Sequence, residues 1–290
     1  MNMPSSRTRD SLRLSPVRFA VTLLAAGCAI CVVSACNDRP ATDPAVQDGE
    51  ASMEQANNTL TDQEKADGWV LLFTGTDFTN WRGLGRDSIP SQHWVIQDGA
   101  IEKVASGDVP TAPDGQPLEG GDIMTADTYD NFDFRFDFKL TPGANSGVKY
   151  NVDEAMSTAH PPSHAALGFE YQVLDDSLHP DAKLGKDGDR TASALYDMIG
   201  PNENKHMNPM GEWNHGRILK QGNHVEHWLN GEKVVEYDIG SPDFNRRLAE
   251  SKYHDIEGFA DNRKGHIVLQ DHGDEVYYRN VKILPLPAQP

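Results

Sequence analysis

Beyond residue 36 the chain has no cysteine, because Cys28, Cys31 and Cys36 all lie near its start. The remainder therefore has no disulfide framework, no thiolate nucleophile and no cysteine-based metal site. A domain of this size can bury enough core to fold without such crosslinks. After the leader there is also no apolar run of about 18 residues, so no further membrane span is expected. Basic residues are scarce, 26 against 44 acidic ones for a formal net charge of −18, and four of the 26 sit in the leader. Such a balance argues against nucleic acid or an anionic lipid surface as partner. The Gly-x-Ser-x-Gly elbow of serine hydrolases is missing, as are the Gly-rich phosphate-binding motifs. His160 and His164 have the spacing of a helical metal pair, but Pro161 and Pro162 between them forbid that helix. Asp181–Asp189 lacks the acidic twelfth ligand of a calcium loop and reads as a solvated turn.

What is present begins with a basic, then apolar, leader. Arg7, Arg9, Arg13 and Arg18 precede the run 19–33, which ends Val33-Ser34-Ala35-Cys36. Small residues just before a cysteine resemble a bacterial lipoprotein signal, with Cys36 lipidated after removal of residues 1–35. The chain is then expected to be exported and held at the cell envelope by that lipid alone. Residues 36–66 read as a polar tether followed by a short helix, announced by the capping-box spacing of Thr61 and Glu64.

From residue 67 to 286 the pattern is strand and turn, with 287–290 as a tail. Phe132, Phe134, Phe136 and Phe138 alternate with Asp133, Arg135, Asp137 and Lys139, the signature of a strand with one aromatic and one charged face. Trp94–Ile96 and Ala100–Lys103 flank an Asp-Gly turn. Stretches 213–220, 225–229 and 233–239 form a meander, closed in part by Asn230-Gly231. Ser241-Pro242 opens a helix to about residue 251. About a dozen short alternating strands predict an all-β, two-sheet antiparallel sandwich in one domain.

Candidate chemistry sits on strand faces. Glu170 and Gln172 share one face of 168–175, and Gln270 and His272 share one face beyond the apolar run 267–269. His227 points opposite to His224 and Glu226. Were these faces to line one concave surface, a cleft would hold a carboxylate, imidazoles and two amides. Amides grip hydroxyls, and the carboxylate and imidazole exchange protons near neutral pH. Trp213, Trp81 and Tyr196 are candidate stacking surfaces for a sugar ring.

The ordered set Trp69–Gly75, Ser146-Gly147-Val148, Glu170-Tyr171-Gln172, Gly211–Asn214, His227–Gly231, Gln270–Gly273 and Arg279-Asn280 resembles the 3-keto-disaccharide hydrolase family. The resemblance spans residues 68–284 and implies a concanavalin A-like jelly roll. It implies cleavage of glycosides already oxidised at C3. A base takes the acidified C2 proton, an enolate forms, and the C1 substituent leaves by β-elimination, with or without later hydration. Transferred residue by residue, this makes Glu170 and His272 the catalytic pair, one as base and the other as acid or orienting partner. Gln172, His227 and Gln270, with Trp213 and Tyr196, would hold the 3-keto-sugar. No cofactor is fixed; a divalent metal ion on Glu170 and His272 is the alternative way to stabilise the enolate. A retaining glucanase would instead need Glu-x-Asp-x-Glu on one strand, where this chain has Glu170, Gln172 and Leu174. A glycan-binding lipoprotein without catalysis is the non-enzymatic alternative.

Overall fold

The computed structural model describes residues 56–110, 119–160 and 162–288. The expected signal, the Cys36 lipidation site and most of the tether fall outside these residues. Two antiparallel sheets face each other. The larger runs, in spatial order, β11 (Glu232–Asp238), β10 (His224–Leu229), β9 (Asn214–Gln221), β6 (Phe132–Leu140), β13 (Val276–Pro285), β4 (Ala100–Lys103) and β3 (Trp94–Gln97), with β1 (Val70–Leu71) also paired to β13. The smaller runs β2 (Trp81–Gly83), β5 (Ile123–Thr125), β12 (His266–Leu269), β7 (Asn145–Val152) and β8 (Phe169–Leu174). The expected all-β sandwich is therefore the observed fold. Among the described residues no helix is long and apolar enough to cross a membrane.

The phenylalanine stripe of β6 forms the core's centre. Phe136 meets Tyr171 of β8 edge-on at 5.4 Å and Tyr278 of β13 at 6.4 Å, so one strand ties both sheets together. Gly216 pairs with Phe136 across β9, and any Cβ there would collide with the Phe136 ring. Asp133 and Asp137 project to the opposite side of β6, as the alternation requires.

Among the described residues three α-helices attach to this frame. α1 (Asp62–Asp67) starts with the expected capping box, Thr61 to the Glu64 amide and Glu64 back to Thr61. α3 (Pro242–Glu250) is capped by Ser241 and plugs one end of the sandwich, with Phe244 against Phe169 at 5.6 Å and stacked on Tyr237 at 5.7 Å. α2 (Glu154–Ala159) was not expected from the sequence. Asp153 caps it through the Met156 amide, and Arg82 of β2 grips Glu154 with two bonds of 2.6 and 2.7 Å. Trp81 belongs to the short strand β2, and its indole donates to the Leu72 carbonyl in the core. β13 is one long strand, carrying a register shift where Asn280 has φ 53°. The segment 194–196 makes only isolated bridges.

Candidate active site

The smaller sheet is buried on both faces. Its outer side carries a second apolar cluster of Leu84, Met124, Val152, Ala166 and Val268. Beside this cluster lies a group of charged and amide side chains. Glu170 of β8 stands directly opposite Lys149 of β7 in register. Its carboxylate lies across Gly147, where a Cβ would collide with Oε1, so glycine is what lets it cross the sheet. Glu170 is 4 % exposed and Lys149 5 %. The Lys149 ammonium donates to the Ala166 carbonyl at 2.9 Å and to Asp122 at 3.3 Å.

Gln270 follows β12 into the same group. Its backbone is pinned by its own amide to the Gly147 carbonyl (2.9 Å) and by the Ser146 hydroxyl to its carbonyl (2.7 Å). In the orientation that satisfies both neighbours, its amide nitrogen donates to Glu170 Oε1 and its oxygen accepts from Lys149, each at 3.3 Å. Behind it Asp271 points the other way, to Lys103 at 2.9 Å, and its own amide donates to Asp122 at 2.8 Å. A buried chain of alternating charge therefore holds Gln270 and Glu170 in place.

Burial drives the Glu170 carboxyl above the ordinary range and Asp122 adds to the push; Lys149, Lys252 and His272 oppose it. Burial also works against the Lys149 charge, but Asp122 and Glu170 outweigh it, so its ammonium titrates above the usual lysine value. The result is a proton acceptor held at the bottom of a covered face, with a permanent cation at its back.

The loop after β8 packs beside this group. Residues 193–196 run back along that strand, Ser193 and Ala194 bonding Gln172 and the Tyr196 amide donating to the Glu170 carbonyl at 3.0 Å. This covers what would otherwise be a bare sheet edge and sets Tyr196 beside Glu170. The Tyr196 hydroxyl donates to Asp181 at 2.8 Å, and Lys252 lies over its ring at 4.1 Å. Burial, then Asp181, raises this phenol far above its normal titration. His272 is exposed two residues beyond Gln270, near enough for its charge to act on Glu170. Its ring meets that of His179 edge-on at 5.8 Å.

Of the expected site residues, Glu170, Gln172, Gln270, His272 and Tyr196 gather on this side of the smaller sheet. Gln172 is buried there, its amide oxygen taken by the Val173 amide at 3.2 Å. His227 and Trp213 do not join them. His227 is 0 % exposed and lies between the sheets, bonded to the Tyr150 hydroxyl at 2.8 Å and the Ser193 carbonyl at 3.0 Å. Burial lowers its pKa to about 4, so it is a neutral core residue near pH 7. The signal was in the alternation: Val225, His227 and Leu229 share one face, the apolar one. Trp213 lies on the far side of the larger sheet, its ring beneath Arg279 at 4.1 Å. Among the described residues His272 converges with His179 and Asp274, whereas Glu170 joins no such group.

Lys149, Asp122, Lys252 and His179 were missed by the sequence reading. Lys149 had a faint signal, a cation between Val148 and Tyr150 near the middle of a strand. The others come from loops without periodicity.

Two facing antiparallel sheets, the smaller of them carrying a buried carboxylate beside amides, define an all-β sandwich protein. Residues 68–284 match the family of 3-keto-alpha-glucoside-1,2-lyase-like domains, and the chain belongs to that family. A 3-keto-disaccharide hydrolase of Bacteroides thetaiotaomicron is 35% identical over 265 residues, spanning 86% of this chain and 89% of the relative. A Parabacteroides distasonis crystal structure, provisionally designated a glycosyl hydrolase, is 33% identical with a TM-score of 0.66, covering 80% of this chain and 100% of its own. A second structure from that organism, with the same designation, shares 28% identity at a TM-score of 0.52, covering 72% and 100%.

Proposed function

We propose that this protein cleaves 3-keto-glycosides by β-elimination, with Glu170 as the base. One observation carries the reading: a carboxylate only 4 % exposed, with a raised pKa, backed by Lys149 and Gln270 and with Tyr196, Lys252 and His272 around it. Glu170 takes the C2 proton, and the C–H electron pair moves into a C2–C3 enolate. The enolate collapses to restore the C3 ketone and form a C1–C2 double bond, expelling the glycosidic oxygen from C1. That oxygen receives a proton from the His179–His272 side, directly or through water. Addition of water across C1–C2 then returns the C2 proton and places a hydroxyl at C1, giving net hydrolysis. Positive charge from Lys149 and Lys252 favours the enolate electrostatically. Family membership and the 3-keto-disaccharide hydrolase relative support the substrate class.

The test is C2 proton exchange and turnover of a 3-keto-glucoside in D2O. Wild type is expected to exchange and turn over, and Glu170→Gln to lose about 10²- to 10⁴-fold in both, the range for a removed general base. Exchange at the wild-type rate in that variant overturns the assignment. Tight binding of unoxidised glycans without turnover would make the protein a lectin. Export and lipid attachment at Cys36 are part of the same proposal, and loss of lipid labelling in Cys36→Ala tests them.

A further inference from the structure

We propose that His179, His272 and Asp274 form a binding site for one divalent first-row transition ion on the loops beside the Glu170 group. Their ligand atoms all lie within 4.8 Å of one another. The three groups come from two loops that meet only in the tertiary structure: His179 precedes a single 3-10 turn at Pro180–Lys183, and His272 and Asp274 follow β12. Each presents an uncommitted atom. His272 has no hydrogen-bond partner among the described residues. Asp274 uses one oxygen to accept the Asn145 amide at 3.0 Å and leaves the other open. His179 uses Nδ1 to accept the Asp181 amide at 3.2 Å, which leaves Nε2 without a partner.

A second cluster shows what a self-satisfied group looks like. His224, Glu226 and Glu236 also converge, but Lys233 bridges both carboxylates at 3.1 and 2.7 Å, Trp228 donates to Glu226, and His224 pairs with Asp238. Its ligand atoms are spent, whereas those of His179, His272 and Asp274 are not.

Two imidazoles and one carboxylate suit zinc, manganese, cobalt or iron(II) and disfavour calcium, which seeks six to eight oxygens. A closed zinc shell has ligand atoms about 3.3 Å apart, so the two loops draw together on binding. With Nδ1 accepting a hydrogen bond, His179 carries its proton on Nε2. Binding through Nε2 takes the other neutral tautomer, with that proton moved to Nδ1 and the long bond from Asp181 given up; protons compete with the ion for the imidazole nitrogens, so affinity falls as pH is lowered. Three protein ligands leave positions for water or a sugar oxygen. So far as the ion serves the elimination, this rests on the reaction proposed above: the ion would polarise a substrate oxygen, and its bound water would protonate the leaving group in place of an imidazole.

The experiment is titration of EDTA-treated full-length protein, without sugar, with Co²⁺, Mn²⁺, Zn²⁺ and Ca²⁺ by calorimetry and by the visible Co²⁺ spectrum. One ion per chain is expected, with calcium weakest. His179→Gln and His272→Gln should each weaken Co²⁺ binding at least tenfold, while His224→Gln leaves it unchanged. Glutamine variants keep the size of these accessible residues, and circular dichroism verifies their folding. Absence of binding at millimolar ion, or equal affinity in wild type and the His179 and His272 variants, overturns the site. Because no sugar is present, binding with no turnover of 3-keto-glucosides would sink only the reaction.

Discussion

The two outer faces of the sandwich are both rich in charge and use it in opposite ways. On the larger sheet, Asp133 pairs with Arg135 and Arg217, and Asp137 with His215, Arg279 and Asn280. Trp69, Trp213 and Trp228 lie beneath cations of the same face. A cavity of about 420 Å³ opens there, lined in part by Arg135, Asp137, Arg217 and Trp228. Asp133 and Asp137 are buried at the base of this face, but each is held by more than one basic partner that reaches solvent. On the smaller sheet, Lys149, Glu170 and Asp122 are taken out of water and depend on one another. A network whose cations reach solvent and back one another up costs little to break at any one cation. A buried one is costly to break and shifts proton affinity, which is what acid–base chemistry uses.

Removing a cation from each face gives the largest contrast. Lys149→Met should destabilise the fold by about 3–5 kcal/mol, because it leaves buried carboxylates without their counter-charge; Arg217→Met should cost about 1 kcal/mol or less, since Asp133 keeps Arg135. Denaturant melts of the two variants check this, and equal losses would erase the distinction. Removing the Lys149 charge also raises the Glu170 pKa further, so the acid limb of the pH–rate profile should move to higher pH in that variant and stay put in Arg217→Met.

Acid should act through the core between the faces. His227 has a folded pKa of about 4 against an ordinary 6.5. Between these values the unfolded chain takes up a proton that the folded chain refuses, so stability is intact above pH 6.5 and falls as pH drops toward 4. By linkage the loss reaches about 3 kcal/mol. Melts from pH 7.5 to 4 should show this slope flattened in His227→Gln relative to its own value at pH 7.5. An unchanged slope would place the acid sensitivity elsewhere.

Gly216→Ala should cost about 1–3 kcal/mol by overpacking against Phe136, read as a lower thermal midpoint. The smallest effect is expected at Trp213→Ala. Its indole lies on the solvated face, so turnover of a 3-keto-glucoside should stay within about twofold. A large fall in turnover would carry the sugar site to the wrong face.

Much of the fold was legible because strand side chains alternate with a period of two. That period announced β6, the β9–β10–β11 meander and the faces of β8. The Asp-Gly and Asn-Gly turns announced where strands reverse. α2 was obscured by the prolines and histidines that follow it, and β2 is too short to show a period. Within the candidate site, Glu170, Gln172 and Gln270 were legible as polar positions on the non-core side of their strands. His227 was misplaced because its parity with Val225 and Leu229 was outweighed by its chemistry.

Local alternation determined on which side of its own strand each residue lies, since that depends only on backbone geometry. It could not determine which strands share a sheet. That choice is made by pairing between distant segments, and it put His227 inside the sandwich, Trp213 on its far face and Lys149 against Glu170. Nor could it bring His179 to His272, because loops have no period and their meeting depends on how the packed strands aim them.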